Sequence, residues 1–392
     1  MQAPAEARTN QKHFFLINLL KAGAAQLIVL HHLAFYGPMA DQARALVPDL
    51  IDWLYRDARI AVQVFLVIGG FLAAKSLAPN GGQAVRASLA APLQRLWRRY
   101  LKLAPPFIAA IVLAVLASSW AGVWMSDPSI SPPPTFTQLA AHVFLLHGVL
   151  GMESLSAGAW YVAIDFQLYA LLTLLLWAVG RLVGSARAPQ WLLPLLVLCG
   201  VFASLCYFNL DADWDVWAPY FFGAYGLGAL AWWISDPERL PGSLRWSWLL
   251  APAVIALSID FRSRIAVAAI TACVLVLCGR SRLDLPTAGP AALLNRLGTI
   301  SYSIFLVHFP VCLMVNAAFS RFVPAEPELQ VAGMALAWLA SLGAGALFHR
   351  WVETPLGRLF NTPLRPISPQ AARLLRFVPI VPAQPFVVWR RS

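Results

Sequence analysis

Lys21 and His32 stand eleven residues apart in LLKAGAAQLIVLHHLAFYG, an apolar stretch running from 19 to 37. At about 100° per residue that interval returns to one helical face after three turns, about 16 Å along the axis, whereas His31 points about 80° away from Lys21. Lys21 and His32 therefore share a stripe with Ala25, Ile28 and Phe35. A charge at the centre of a transmembrane helix costs roughly 2.5–3.5 kcal/mol, so each needs a partner, a wet cavity or a task. Two readings fit. In one, Lys21 snorkels and the histidines bond to neighbouring helices. In the other, His32 is a general base, because neutral imidazole suits proton transfer near pH 7. His31, on another face, reads as structural.

A second polar set lies in AWYVAIDFQLYALLTLLLW, where Tyr161, Asp165, Tyr169 and Thr173 follow at four-residue steps on one face. Counted from the helix start, Asp165 and His32 fall at matching depths, so a carboxylate beside the imidazole is expected to orient it. The competing reading is an aspartate paired with an arginine or lysine for packing. His308 is a further candidate in mid-span, with helix packing as its alternative. Arg95, Arg98, Arg99 and Lys102 cluster in PLQRLWRRYLKLAPP. Such a cluster either anchors to lipid headgroups or binds phosphates through the arginine fork. His13 and His349 sit near helix ends and read as interfacial. His142 and His147 are five apart, do not share a face, and make a poor metal pair, so no metal site is expected.

The elements that carry these residues are membrane helices. The chain of 392 residues is 59% hydrophobic and 12% charged, against roughly 25% charged in a soluble domain. Its mean hydropathy is +0.67. Apolar windows near 13–36, 58–78, 103–124, 160–180, 190–210, 217–234, 246–259, 265–278, 297–320 and 329–351 predict about ten transmembrane helices in an all-α integral membrane protein. A net charge of +11 raises nucleic acid as a partner, but the charges fall in alternate loops as the positive-inside rule expects, which excludes that reading. With both termini cytoplasmic, only Arg44, Arg56, Arg59, Arg262, Arg264 and Arg321 lie in outer loops.

Residues 1–12 then form a cytoplasmic N-terminus, 13–359 the membrane domain and 360–392 a basic cytoplasmic tail near anionic headgroups. The N-terminus resembles a signal peptide, but its apolar run is too long and broken by Lys21, so it reads as a retained first span. The proline-rich SDPSISPPPTFTQ is an outer loop, and the LAAHVFLLHGVL that follows is too short to span and reads as re-entrant or interfacial. The five cysteines fall within spans without C-x-x-C spacing and read as packing residues.

Six motifs in order resemble the membrane acyltransferase-3 family over roughly residues 10 to 358. They are Lys21 with His32; Phe65 with Gly70-Phe71-Leu72, where Gly69 replaces the usual serine; Arg98, Arg99 and Lys102 leading to Pro105; Trp160, Asp165, Gln167 and Tyr169, with aspartate in place of glutamate; SYSIFLVHFPV at 301–311; and Glu353 with Pro355. The resemblance implies a multi-pass enzyme of the cell's inner membrane. It would carry an acyl group, usually acetyl, from cytosolic acyl-CoA to a hydroxyl of an extracytoplasmic or lipid-linked carbohydrate. Acetyl-CoA would be a co-substrate, with no permanently bound cofactor. His32 would be base or transient acyl carrier with Asp165 orienting it, and Lys21 would hold the donor or polarise a carbonyl. Arg95, Arg98, Arg99 and Lys102 would hold the CoA phosphates, while Trp160, Tyr161, Tyr169 and His308 would meet substrate. Some members fuse an esterase-like domain. Here the bundle would finish the transfer alone or with a separate periplasmic transferase or glycan-assembly partner.

Two other functions compete. A proton-coupled transporter or flippase would use Lys21, His32 and Asp165 as a relay, although no internal repeat or paired broken helix is visible. A haem carrier would need paired histidines at matched depth, and the sequence offers no convincing set.

Overall fold

The computed structural model describes residues 3–81, 90–183, 189–236, 242–280 and 289–361. Those segments are helical, with no strand among the described residues. The helices are α1 (Ala3–Phe35), α2 (Pro38–Ala43), α3 (Pro48–Arg56), α4 (Val62–Leu77), α5 (Ala90–Trp124), α6 (Phe136–Val143), α7 (Ala159–Val183), α8 (Leu192–Cys206), α9 (Ala218–Ile234), α10 (Gly242–Ile259), α11 (Ser263–Arg280), α12 (Pro290–Thr299), α13 (Ser301–Phe322), α14 (Pro327–Phe348) and α15 (Thr354–Asn361). Seven described helical segments are long and apolar enough to cross a membrane. Three of the windows expected to span, those of α9, α10 and α11, are helices shorter or less apolar than that. Nearly all of the C-terminal tail lies outside the described residues, as do the side chains of residues 3–14, His13 included.

Two helices form the inside of the bundle. Along α13 the side chains from Ile304 to Pro310 are all buried, and along α9 burial is nearly continuous from Tyr220 to Ile234. The outer helices turn Leu113, Leu116 and Trp120 of α5, Val254 of α10, and Leu336 and Leu339 of α14 outward. In lipid such a surface costs nothing, so close packing rather than water exclusion must hold the helices together. Glycine supplies that closeness between α4 and α9: a Cβ at Gly70 would lie 1.8 Å from the Tyr225 carbonyl oxygen, and one at Gly228 would lie 1.9 Å from that of Val67.

The chain leaves α1 through Gly37, whose φ of 87° falls in the left-handed region open to glycine. Asn316 of α13 packs on that turn and accepts from the Met39 N–H at 3.2 Å. α2 and α3, each opened by a proline, cover this end of the bundle. The end of the last long helix takes a π-helical turn, His349–Glu353, of the kind often found at functional sites.

The segment between α6 and α7 folds into the bundle. α6 stops at Val143, and Leu145 adopts a φ of 58° that turns the chain back. Leu145, His147 and Leu155 are buried, and Gly158 packs against the ring and carbonyl of Phe305. α7 therefore begins inside the bundle, not at its surface.

Candidate active site

His32 lies in the last turn of α1 and His308 in the middle of α13, and the two imidazoles meet there. The Nδ1–H of His308 donates to the Phe305 carbonyl at 2.7 Å. A carbonyl can only accept, so in the neutral ring Nε2 of His308 carries the lone pair. The contact of 2.6 Å to His32 Nδ1 is then donated by His32. His32 is left with a deprotonated Nε2 that has no hydrogen-bond partner among the described residues. The rings lie 8° from parallel with centroids 4.8 Å apart, both buried. A linear relay results, from a backbone carbonyl through one imidazole to a second whose outer nitrogen is free to take a proton. His31 instead donates from Nδ1 to the Leu54 carbonyl at 2.8 Å and ties α1 to α3.

Asp165 does not orient His32. Its carboxylate pairs with Arg99 of α5, and that guanidinium also lies 5.1 Å over the Tyr169 ring. The depth expected from the sequence assumed that α7 starts at the bundle surface. Gly158 already sits against Phe305, so Asp165, about 10 Å farther along, falls well past the histidines toward the opposite end. A Cβ at Gly69 would stand 3.2 Å from the Tyr225 ring and 3.5 Å from Asp165 Oδ1. Glycine at that position therefore lets Tyr225 lie close to the ion pair, and the Tyr225 hydroxyl is buried there without a partner.

The same region gathers more polar groups. Lys21 is within electrostatic reach of Glu353 and Lys102. Glu353 accepts from the Ser303 hydroxyl at 2.5 Å and pairs with His349 at 3.0 Å. The Tyr302 hydroxyl donates to the Leu103 carbonyl at 3.0 Å. Arg95, Arg98, Arg99 and Lys102 share about 100° of the α5 surface. Arg99 is at the inner edge and committed to Asp165, while Arg98 and Lys102 are exposed. The structure thus separates the basic cluster into one half-buried ion-paired arginine and three cations without a carboxylate ion pair among the described residues.

Of the expected substrate contacts, Tyr161 reaches the dyad indirectly: its ring lies 5.3 Å from that of Phe305, which lies 6.0 Å from that of His308. Trp160 stacks toward Phe221 at 5.5 Å, and Tyr169 stays with Arg99. His142 and His147, expected to point apart, stack with centroids 4.1 Å apart because the helix ends between them. Both His142 nitrogens are committed, Nδ1–H donating to the Gln138 carbonyl at 2.8 Å and Nε2 accepting from the Leu155 N–H at 3.1 Å, so the pair is not a ligand set. No group of three metal-ligating side chains occurs among the described residues. Sequence reasoning did not assign roles to Ser303, Tyr302 or Tyr225. The SYS motif marks the first two, whereas nothing marks Tyr225.

Neither the comparison with curated proteins nor that with solved structures gives a match. A family profile described as an acyltransferase domain matches residues 15–350, a range that includes His32, His308, Lys21, Arg99 and Asp165 and stops within the π-helical turn, short of Glu353. The chain therefore belongs to the acyltransferase-3 family and is a membrane acyltransferase.

Proposed function

We propose that this enzyme moves an acyl group, most simply acetyl, from cytosolic acyl-CoA to a hydroxyl of an extracytoplasmic or lipid-linked carbohydrate, as a multi-pass protein of the inner membrane with both termini cytoplasmic. The observation that carries the reading is the bare Nε2 of His32, held in its tautomer by His308 and Phe305. A thioester is already activated, so the remaining tasks are alignment, removal of the hydroxyl proton and stabilisation of the oxyanion. His32 Nε2 takes the hydroxyl proton as oxygen attacks the thioester carbonyl. The C–S bond breaks, and the proton passes to the departing thiolate. A transient acyl group on the same nitrogen is the two-step form of this chemistry. Either way His308 accepts the Nδ1–H bond of the charged ring and steadies it.

The two clusters suit the two ends of such a reaction. Arg95, Arg98 and Lys102 are available to CoA phosphates at the end opposite Phe35, and Lys21 lies between them and His32 along α1. The ion pair of Arg99 and Asp165 fixes α5 to α7 and so positions this donor face. Membranes containing the protein, given acyl-labelled CoA, should place label in base-labile ester on carbohydrate. A transporter or flippase would leave carbohydrate unlabelled, and that result would overturn the proposed transfer to carbohydrate.

A further inference from the structure

A second polar site lies at the end of the bundle that α1 reaches with Phe35. A small cleft is lined there by Gln63, Asn209, Tyr220, Phe221 and Arg264. Gln63 opens α4, Tyr220 and Phe221 open α9, and Arg264 stands in the first turn of α11. Arg264 donates to the Tyr220 hydroxyl at 2.7 Å and to the Asn209 carbonyl at 3.0 Å. Its Nε is buried without a partner. The Gln63 amide makes no hydrogen bond among the described residues.

Arg262 lies beside it. It donates to Asn209 Oδ1 at 2.9 Å and to the Leu205 carbonyl at 2.9 Å, and it pairs with the exposed Asp260 at 3.3 Å. Asp260 is the one carboxylate within ion-pair distance of either arginine among the described residues, although Asp211, Asp213 and Asp215 stand in the adjoining loop. The two arginines therefore outnumber the carboxylates in ion-pair contact with them among the described residues. They stand on the face where the positive-inside rule predicts few basic residues, which argues for a task other than topology. A free buried guanidinium N–H beside an unused amide is matched by an anionic oxygen group, a carboxylate or a phosphate.

The cleft is joined to the dyad. Phe221, in its wall, lies 5.5 Å from Trp160, Trp160 lies 6.1 Å from Tyr161, and Tyr161 lies 5.3 Å from Phe305, next to His308. Aromatic faces of this kind pack against the apolar faces of sugar rings. We infer that the cleft of Arg264 and Gln63 is an acceptor subsite for a carboxylate or phosphate on the carbohydrate, so that this enzyme prefers acidic glycans. The inference rests on the acyl-transfer reading for the cleft's purpose, but its binding test does not depend on turnover.

The test uses the full chain in phosphatidylcholine nanodiscs, with trigalacturonate as acidic probe and maltotriose as neutral probe, read by calorimetry. Trigalacturonate should bind more tightly than maltotriose by about tenfold or more, the worth of one charge-assisted contact. R264Q should abolish that preference. Q63E should abolish it too, by placing a carboxylate beside Arg264 at a position whose amide has no hydrogen bond to lose among the described residues, which guards against misfolding of R264Q. The preference should persist in phosphatidylglycerol nanodiscs. Binding of neither probe, equal binding of both, or a preference that survives both variants would overturn the inference. Loss of binding in phosphatidylglycerol would assign the cleft to a lipid headgroup and overturn it equally. Failure here leaves labelled transfer intact, and failure of labelled transfer leaves this binding result standing.

Discussion

His32 and His308 divide the work that a carboxylate and an imidazole share in many acid–base sites. The carbonyl of Phe305 orders the tautomer of the first ring, and the first ring orders the second. Substituting His308 by phenylalanine keeps a ring of similar bulk but removes the acceptor, so kcat should fall while the apparent requirement for acyl-CoA changes little; steady-state kinetics with labelled donor check this. Asp165 answers a different need. Its pairing with Arg99 is buried on the aspartate side, with 9% of that side chain exposed. Breaking such a pair by removing one partner costs about 3–5 kcal/mol, because the other charge is left uncompensated. Asp165→Ala should therefore lower the unfolding midpoint in detergent strongly, and the joint replacement Arg99→Met with Asp165→Leu should recover much of it. An unchanged midpoint in Asp165→Ala, or no recovery in the double variant, would remove the structural role assigned to the pair. The identity of His32 and Lys21 was legible in sequence because helical phase alone separates them from His31. The partner of His32 was not, since a contact between residues 32 and 308 leaves no periodic trace.

At the scale of elements, the misplacement of Asp165 has a single origin. Counting depth from Ala159 presumes a helix that begins at the bundle surface, whereas the α6–α7 segment carries the chain inward before α7 starts. Apolarity in LAAHVFLLHGVL marked that segment as too short to span and as re-entrant or interfacial, but not the turn at Leu145. The same segment holds His147, buried with both ring nitrogens unpartnered. Burial first, and the neighbouring His142 second, push its imidazole down to about 4. The folded protein thus stays neutral there while the unfolded chain binds a proton below the ordinary value near 6.5. Stability should be full above that value and fall as pH drops toward 4, by about 3 kcal/mol in all. His147→Leu should flatten this part of a stability profile measured from pH 7 to pH 4. The α4–α9 contact makes a sharper demand: Gly70→Leu should abolish folding, since a side chain there must displace the Tyr225 carbonyl, whereas Gly23→Ala, with nothing within 4 Å, should be silent in the same assay.

Across the whole molecule, composition and hydropathy were enough to give an all-helical membrane bundle and the positions of its long helices, but not the short helices α2, α3, α6, α12 and α15. Helices α9, α10 and α11 show why a span count is harder: α9 is buried along nearly its whole length and is too short, whereas α10 and α11 are short apolar helices that turn Val254 and Ile270 outward. The polar groups sort along the bundle into exposed cations at one end, an ion-paired belt near Lys21, and a histidine dyad nearer Phe35, as transfer between two compartments requires. The account turns on His32 as the group that handles the proton. The most direct measurement is transfer from acyl-labelled CoA to carbohydrate in membranes carrying wild type, His32→Ala or His31→Ala, each with insertion verified. A general base contributes roughly 10²–10⁴ in rate, so His32→Ala should lose at least that much while His31→Ala stays near wild type. Full transfer by a correctly inserted His32→Ala protein would contradict the account.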